Sequence, residues 1–459
     1  MRACARARAA VSRAVQSATE CGPRAGASVP LLAGICSSTR AQLVHPVVHQ
    51  MPSRAHLAVV LGAAAAACLS QTVAINGPEQ LEPDALEDLA RDLSSTNTAD
   101  KERAVSMLSS LTLYLEYHSA MMKAGVFPAL IKAILDARMV PQVRVIALGC
   151  AADLLKENEA KKIAANNSEF IPTLLNALKS EGGWENGPEE GGIARASSAR
   201  ALAELCAAPE LHTTISRSGA ARALAEHGAE AAEVSRSEDK TYSSLSEVPG
   251  TMVERHAVED ERFTAGALYN LASSSTGVTC ILDAGDNAVL GLGRWASSKD
   301  PILQRYGVGA LSRVGTSSPR AFGAVVDAGC LPALVAACNS DDAQAQCFAA
   351  GAIGKLVNFG GEPAHLLLQA QAPSALMTML EGTKAAGPGR VSGNSKGVMR
   401  GVQSCAVRAI LSTLSSQSFS KELLDAGLLP KVQKLLDSGL DAKTDAELIK
   451  GLGEILGRT

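Results

Sequence analysis

The amino-acid sequence predicts an all-α protein that folds as a right-handed α-solenoid, a one-dimensional stack of helical repeats. Two adjacent segments, 263–298 and 305–340, share one order of elements: a helix rich in Ala and Gly, a Ser/Gly break, a short helix and an apolar helix. A third copy begins at Cys347, which gives a period of about 40 residues, as in helical solenoids. Only 3% of the 459 residues are aromatic. Strands favour aromatic and β-branched side chains, so this composition opposes an all-β fold.

The repeat has a recognisable phrase, Ala-Leu-Tyr-Asn-Leu-Ala at 267–272, which is followed by Asp-Ala-Gly at 283–285. This phrase resembles the armadillo repeat. Close copies of its second half occur at 123–135, 327–338 and 425–436, a partial copy at 169–178, and degenerate copies at 218–230 and 369–380. The resemblance implies an armadillo solenoid of about seven repeats, in which neighbouring repeats share one apolar core. We therefore assign residues 78–459 to the solenoid.

The two ends of the solenoid are predicted to be capping helices. At the N-terminal end, Leu81, Leu86, Leu89 and Leu93 recur at helical spacing within residues 78–97, which predicts an amphipathic helix. At the C-terminal end, residues 444–459 have a similar pattern. A solenoid needs such elements because its terminal repeats must present a polar outer face.

In armadillo proteins the third helix of each repeat lines a concave groove, and the resemblance implies the same here. Alignment on the Asn of the repeat phrase gives one residue per repeat: Ser110, Asp153, Glu204, Asn270, Arg313, Lys355 and Thr413. We predict a protein-binding groove at Asp153, Glu204, Asn270, Arg313 and Lys355. Its N-terminal half would be acidic and its C-terminal half basic, complementary to a partner segment of opposite polarity. The alternative is that these charges are solvated or paired with neighbours.

The groove differs from that of the nuclear-import receptors of the family, which place a Trp four residues before each Asn. Here these positions hold Ser106, Gly149, Arg200, Gly266, Gly309, Gly351 and Ala409. The absence of the Trp and Asn array argues against recognition of nuclear localisation signals. We expect the four glycines to permit tight helix packing.

Three insertions, at 181–192, 231–258 and 382–401, interrupt the period. The third is rich in Gly and carries Lys384, Arg390, Lys396 and Arg400. Glycines that flank basic side chains suit an anion-binding loop for phosphate, anionic lipid or an acidic partner. A flexible, solvated loop is the alternative.

The N-terminal region has the composition of a targeting signal. Residues 1–56 contain seven Arg, no Lys and one acid, Glu20. This favours a mitochondrial address, in the inner membrane or intermembrane space; plastid and cytoplasmic locations stay open. Residues 57–75 are uncharged and about long enough to cross a bilayer. A transmembrane anchor, a cleaved sorting helix and a soluble Ala-rich helix are the three interpretations.

The sequence shows no catalytic pattern. The stretch at 351–356 lacks the residues of a phosphate loop, and the His residues are isolated. We therefore expect a protein that is not an enzyme and holds no cofactor or metal. Residues after 56 have a net charge of −9, which argues against nucleic acid. Eleven Cys, among them Cys347 and Cys405, lie mostly inside helical patterns without a CxxC motif, so we expect small buried thiols in a reduced protein.

These observations together predict a non-catalytic scaffold or accessory subunit that binds one or more proteins, including those of a membrane complex. The alternative function is that of a cytosolic or nuclear armadillo adaptor in transport, signalling or degradation.

Overall fold

The computed structural model describes residues 83–179, 184, 188–235, 252–382 and 395–458, and over these residues the protein is an α-solenoid without strands. The predicted targeting segment 1–56 and the hydrophobic stretch 57–75 lie outside the described residues. In chain order the helices are α1 (Pro83–Leu93), α2 (Thr98–Leu111), α3 (His118–Lys123), α4 (Val126–Leu135), α5 (Pro141–Leu154), α6 (Asn158–Asn166), α7 (Phe170–Leu178), α8 (Pro188–Cys206), α9 (His212–Arg217), α10 (Ala220–Ser235), α11 (Met252–Leu271), α12 (Ser275–Asp283), α13 (Asp286–Ala296), α14 (Pro301–Gly315), α15 (Pro319–Asp327), α16 (Leu331–Ala336), α17 (Ala343–Val357), α18 (Gly361–Gln369), α19 (Ala372–Glu381), α20 (Ser395–Thr413), α21 (Gln417–Asp425), α22 (Leu428–Leu436) and α23 (Ala446–Arg458).

The helices recur in threes, which confirms the repeat predicted from the sequence. We call the short helices H1, the apolar helices H2 and the long helices H3; the H3 helices are α2, α5, α8, α11, α14, α17, α20 and α23. Each H3 packs beside the next one, from α2 to α23, and each also packs on a neighbouring H2. The buried side chains form one continuous apolar cluster from Leu86 to Ile455. A single repeat could not bury its apolar face alone, so the stack shares one core.

The first described helix closes the N-terminal end of this core, as predicted. Leu86, Leu89 and Leu93 of α1 are buried, while Asp84 is exposed. At the other end, Leu448, Leu452 and Ile455 of α23 are buried at the same helical spacing. Both terminal helices therefore have one apolar face against the stack and one polar face toward solvent, the arrangement that a solenoid end requires.

Six of the seven H1–H2 turns in the described residues hold a residue with a positive φ, the exception being the turn at 167–169. Gly329 has φ = 66°, and the equivalent glycines of four other repeats also have a positive φ. In the degenerate repeat at 369–380 this place is taken by Gln371, with φ = 62°. A side chain is unfavourable in this conformation, so the repeat phrase keeps Gly after the short helix.

In the order of the chain, each predicted insertion falls between an H2 and the following H3. Part of each is helical, because α8 begins at Pro188, α10 ends at Ser235, α11 begins at Met252 and α20 begins at Ser395. The H3 helices after the insertions have 19, 20 and 19 residues, against 15 in α14 and α17. The insertions therefore lengthen the H3 helices that follow them.

Consecutive H3 helices in the C-terminal half are tied by Arg–Asp ion pairs. Arg262 of α11 donates two hydrogen bonds to the Asp300 carboxylate, at 3.0 and 2.5 Å. Asp300 also accepts from the first backbone N–H groups of α14, so one carboxylate caps a helix and anchors its neighbour. Arg305 and Asp342 repeat this arrangement between α14 and α17. Between α20 and α23, Arg400 lies 3.9 Å from Asp445.

The expectation of reduced thiols is wrong for one pair of cysteines. Cys347 of α17 and Cys405 of α20 form a disulfide, and their Cα atoms lie 5.3 Å apart. The two residues are separated by 58 positions, so the sequence alone did not reveal the pairing. They meet because α17 and α20 are consecutive H3 helices.

The other described cysteines are free, and four of these five are buried: Cys150, Cys206, Cys330 and Cys338. Burial raises the pKa of the Cys150 and Cys338 thiols to about 12. These thiols therefore stay protonated and act as small apolar core residues, as expected.

No single helix in the described ranges is long and apolar enough to cross a membrane. One bent pair, Pro319–Asp327 with Leu331–Asn339, meets the length and composition criteria across a 96° bend. Phe322, Val325 and Leu334 of this pair are buried in the shared core.

We predict that Arg262→Ala lowers the free energy of unfolding by about 3 kcal/mol, since it leaves a buried Asp300 carboxylate without its cation. The two side chains are 9% and 7% exposed. The control is Arg91→Ala, which breaks an ion pair whose side chains are 73% and 47% exposed. It should cost about 0.5 kcal/mol or less. Urea denaturation followed by circular dichroism measures both, and equal effects would contradict the anchoring role of the Arg262–Asp300 pair.

Candidate protein-binding surface

Side-by-side packing leaves one side of every H3 helix toward solvent, and we call this continuous surface the H3 face. The residues predicted for the groove do not share one environment on it. Lys355 is exposed, Glu204, Asn270 and Arg313 are half-buried, and Asp153 is buried. The structure therefore divides the predicted groove into an internally paired part and an exposed part.

The predicted acidic end is paired with neighbouring basic side chains. Asp153 lies 3.2 Å from the Arg200 guanidinium of the next H3 helix and 3.8 Å from the Lys156 amine. Glu204 lies 3.6 Å from the amine of Lys161, which is itself buried. These pairs compensate both carboxylates, so the N-terminal half of the H3 face offers no uncompensated negative charge at these two positions.

The two middle residues bond to the preceding H3 helix. Asn270 donates from Nδ2 to the Ala203 carbonyl oxygen at 3.3 Å. Arg313 donates from Nη1 to the Tyr269 carbonyl oxygen at 2.6 Å. Ala203 precedes Glu204 and Tyr269 precedes Asn270, so both bonds end at the same position of the repeat. These side chains link adjacent H3 helices as well as facing the groove.

The C-terminal part of the H3 face is basic and exposed. Lys355 of α17 is exposed and has no ion pair or hydrogen bond among the residues that the structure describes. Arg408 of α20 is also exposed, and its Nη2 lies 3.4 Å from Cys405 Sγ. A Cβ at Gly354 would lie 3.1 Å from the Cα of Ala409, so the two helices are in close contact at this point. Lys355 follows Gly354 and Arg408 precedes Ala409 in the sequence, so Lys355 and Arg408 lie on adjoining turns of the two helices. We call Lys355 and Arg408 the basic pair.

The alignment of the last repeat is wrong by one residue. Thr413 is fully buried and donates to the Ile410 carbonyl oxygen, whereas Ser412 is exposed. Ser412 and Arg408 therefore occupy the places of Lys355 and Gly351. The phrase Ala-Ile-Leu-Ser-Thr-Leu at 409–414 fits both alignments, and burial of the side chain decides between them.

Sequence reasoning missed an aromatic cluster on the H3 face. The Tyr269 ring packs at a tilt against Tyr306, with a ring-centroid distance of 5.6 Å, and against Phe348, at 5.7 Å. The Arg313 guanidinium lies 3.8 Å above the Tyr269 ring, and its Nη2 donates to the Tyr269 hydroxyl at 2.9 Å. All three rings are half-buried. We call these rings the aromatic shelf; they come from positions other than the Trp positions of the family, so the alignment did not find them.

Glycines make room for the shelf. A Cβ at Gly309 would lie 2.5 Å from the Tyr269 ring and 3.1 Å from the Phe348 ring, and one at Gly266 would lie 3.4 Å from Tyr306. Gly309 therefore serves close packing, as expected, whereas a Cβ at Gly266 would make an ordinary van der Waals contact. Gly351 does not serve close packing, since a Cβ there would meet nothing within 4 Å. The sequence feature that could have indicated the aromatic shelf is a Tyr three residues from a Gly, which occurs at 266–269 and again at 306–309.

The predicted anion-binding loop is described only at its end. Lys384 and Arg390 lie outside the described residues, and Lys396 belongs to the first turn of α20. Arg400 lies within α20 and donates from Nη1 to Gln403 at 3.0 Å, close to Asp445. Arg400 therefore takes part in tying α20 to α23, and the loop stays a prediction.

The histidines within the described ranges all have hydrogen-bond partners. His118 and His212, each the first residue of an H1 helix, bond to carbonyl oxygens at the end of the preceding H3 helix, at 2.8 and 2.7 Å. His227 bonds to Asp260 at 3.0 Å. No group of three His, Cys, Asp or Glu side chains in the described part of the chain is placed to hold a metal ion.

Comparison of the sequence with protein families finds one match, the armadillo/beta-catenin-like repeat, at residues 318–357. These residues comprise α15, α16 and α17, which is one complete repeat of H1, H2 and H3. A search of curated proteins finds no match.

Several solved structures are similar in fold. The crystal structure of an engineered protein is 22% identical over 87% of this chain and 94% of that chain, with a TM-score of 0.54. A designed armadillo repeat protein is 18% identical over 58% of this chain and 98% of that chain, with a TM-score of 0.45. A computationally designed armadillo repeat protein for modular peptide recognition is 17% identical over 62% of this chain and 98% of that chain, with a TM-score of 0.44. The first of these likenesses supports the fold.

We predict opposite effects of two Gly→Ala substitutions at the same position of successive repeats. Gly351→Ala should stabilise the protein by about 1 kcal/mol, because Ala favours the helix and no atom obstructs the new methyl group. Gly309→Ala should instead displace the Tyr269 ring and be less stable than Gly351→Ala by about 1–3 kcal/mol. Thermal unfolding measures stability, and near-ultraviolet circular dichroism reports the tyrosines. Equal stabilisation with an unchanged tyrosine signal would show that Gly309 does not hold the shelf in place.

Proposed function

Since this chain is an armadillo repeat protein, we propose that it is a non-catalytic scaffold that binds an extended, acidic segment of a partner protein. The armadillo fold is typically a binding scaffold without catalytic activity. The site would be the C-terminal part of the H3 face, formed by α11, α14, α17 and α20. The basic pair provides the charge of this site, and the aromatic shelf provides apolar area.

The exposed basic pair is the observation that carries the proposal. Asp153 and Glu204 have basic neighbours, and Arg313 is held by Tyr269, so each of these groups has a partner within the fold. Lys355 faces solvent and Arg408 lies against a sulfur atom, so both keep a positive charge available to a ligand. Charge complementarity then favours carboxylates, and it determines the choice and orientation of the partner more than the affinity. Of the groove with an acidic and a basic half that the sequence predicted, the basic half alone is therefore proposed as the binding site.

The aromatic shelf adds a second element of recognition. Tyr269, Tyr306 and Phe348 present part of each ring to solvent beside Arg313. Aromatic and Arg side chains supply much of the energy of protein interfaces, because they bury large areas at low entropic cost. An acidic segment with apolar residues between its carboxylates would use both the pair and the shelf.

We predict that the full chain binds a fluorescent glutamate-rich peptide more tightly than a lysine-rich peptide of the same length, and that salt weakens this binding. Lys355→Glu combined with Arg408→Glu should weaken it by at least about tenfold, or about 1.4 kcal/mol. Fluorescence anisotropy measures the affinity.

The control for this prediction is Lys421→Glu combined with Lys434→Glu. It makes the same change in net charge at exposed residues of α21 and α22, away from the H3 face. Its affinity should stay close to that of the unmodified chain. Equal weakening by the two double variants, or a preference for the lysine-rich peptide, would contradict the proposed site.

We further propose that the N-terminal segment directs this scaffold to mitochondria, where residues 57–75 tether it to a membrane. The support is the Arg-rich composition of residues 1–56 and the uncharged run that follows. N-terminal sequencing of the native protein, with carbonate extraction of the organelle fraction, tests this. A processed start within 20–56 and retention in the pellet are expected. An intact Met1 or Arg2 start would favour the cytosolic or nuclear adaptor instead.

A further inference from the structure

The disulfide between α17 and α20 takes the place of an ion pair in the series that ties the H3 helices. Cys347 lies eight residues before Lys355, just as Arg262 and Arg305 lie eight residues before Asn270 and Arg313. Arg262 and Arg305 each bind the Asp that caps the next H3 helix. At the corresponding position, Cys347 binds Cys405 of the next H3 helix. The connection between α17 and α20 is therefore covalent, whereas the connections from α11 to α14 and from α14 to α17 are ionic.

A covalent connection differs from an ionic one in what opens it. An ion pair weakens with salt or with protonation, whereas a disulfide opens by exchange with thiols. Cys347 and Cys405 are half-buried residues of the H3 face, so part of each residue is open to solvent. The buried thiols Cys150, Cys206, Cys330 and Cys338 lie in the shared core. Cys280 is half-buried, and its Sγ lies 3.0 Å from Ser216 Oγ.

The disulfide lies within the proposed binding site. The Arg408 guanidinium is 3.4 Å from Cys405 Sγ. Cys347 directly precedes Phe348, the ring of the aromatic shelf that α17 carries, and lies about two turns before Lys355. The bond thus fixes the distance between the two helices that carry the basic pair, one residue on each. Holding two contact groups at a fixed distance favours binding, because less freedom is lost when the ligand arrives.

We propose that Cys347 and Cys405 form a redox-controlled connection that regulates binding at the basic pair. This inference rests on the proposed function. Two thiol groups of a reductant, such as glutathione or a protein dithiol, become a disulfide and give up two electrons and two protons. The Cys347–Cys405 bond breaks, and each sulfur becomes a thiol. In the reduced protein α17 and α20 keep their packing and the hydrogen bond from Ser415 Oγ to Asn358 Oδ1 just beyond their ends. They lose the covalent bond beside the basic pair, so Lys355 and Arg408 are held less firmly relative to each other.

The test measures thiol state and peptide affinity on the same samples of the full chain. The chain is equilibrated in glutathione redox buffers, its free thiols are trapped with a maleimide and identified by mass spectrometry, and the anisotropy of the glutamate-rich peptide is recorded. Reduction should expose Cys347 and Cys405 before the buried thiols, and it should weaken peptide binding by about fivefold through lost preorganisation.

Two variants separate regulation from general destabilisation. Cys347→Ser combined with Cys405→Ser should bind as weakly as the reduced chain, with no response to redox potential. Cys280→Ser, which removes the remaining half-buried cysteine of the described residues, should keep the full response. Circular dichroism of each sample verifies that the solenoid is folded, and the unmodified chain in reducing buffer gives the same comparison without any substitution.

The outcomes distinguish the two claims. A pair that opens only when the chain unfolds, or an affinity equal in oxidised and reduced protein, would overturn the redox inference and leave the proposed function intact. A chain that binds no glutamate-rich peptide in either state would overturn the proposed function, and the regulation with it, even where thiol trapping shows that the pair opens.

Discussion

The lateral packing of consecutive H3 helices is the constraint on which the rest of the structure depends. The apolar side of each H3 helix packs on an H2 helix, and its flanks pack against the adjacent H3 helices. Small residues at the flanks make this possible, as where Gly354 meets Ala409. What remains is one narrow solvent-facing side per helix. In a stack these sides join into a long surface, and side chains separated by a whole repeat become neighbours.

Several polar side chains of the H3 helices connect one H3 helix to the next. Side chains bind carbonyl oxygens of the preceding helix at Asn270 and Arg313, and carboxylates that cap the following helix at Arg262 and Arg305. Such groups are held by the fold, so they contribute stiffness more than ligand affinity. The basic pair stands out against this background, because Lys355 has no such partner among the described residues. Function is best sought where the internal pattern stops, next to the disulfide and the aromatic shelf.

The fold could be predicted from the sequence, because it depends on local features that recur. Helical periodicity, the Gly of five H1–H2 turns and the leucines of the first capping helix are local features that can be read directly from the sequence. The positions of Asn270, Arg313 and Lys355 on the H3 face followed from the same alignment. The partners of Asn270 and Arg313 did not, because their hydrogen bonds join residues 67 and 44 positions apart.

For the same reason, three features of the surface could be recognised only in the structure. The shelf joins rings from three H3 helices, the disulfide joins two cysteines 58 residues apart, and the last alignment was decided by the burial of Thr413. In each case the sequence contained the residues but not the distance between helices. A Tyr three residues from a Gly, or a Cys in place of an Arg, can be interpreted once the register of adjacent H3 helices is known.

The central claim is that an acidic segment binds where α17 and α20 meet. Hydrogen–deuterium exchange of the full chain, with and without the glutamate-rich peptide, tests it most directly, because it locates the bound ligand on the solenoid. The account predicts slower exchange within 343–357 and 395–413, with smaller changes within 301–315. Protection confined to the N-terminal H3 helices, or to the H1 and H2 helices, would place the ligand elsewhere and contradict the account.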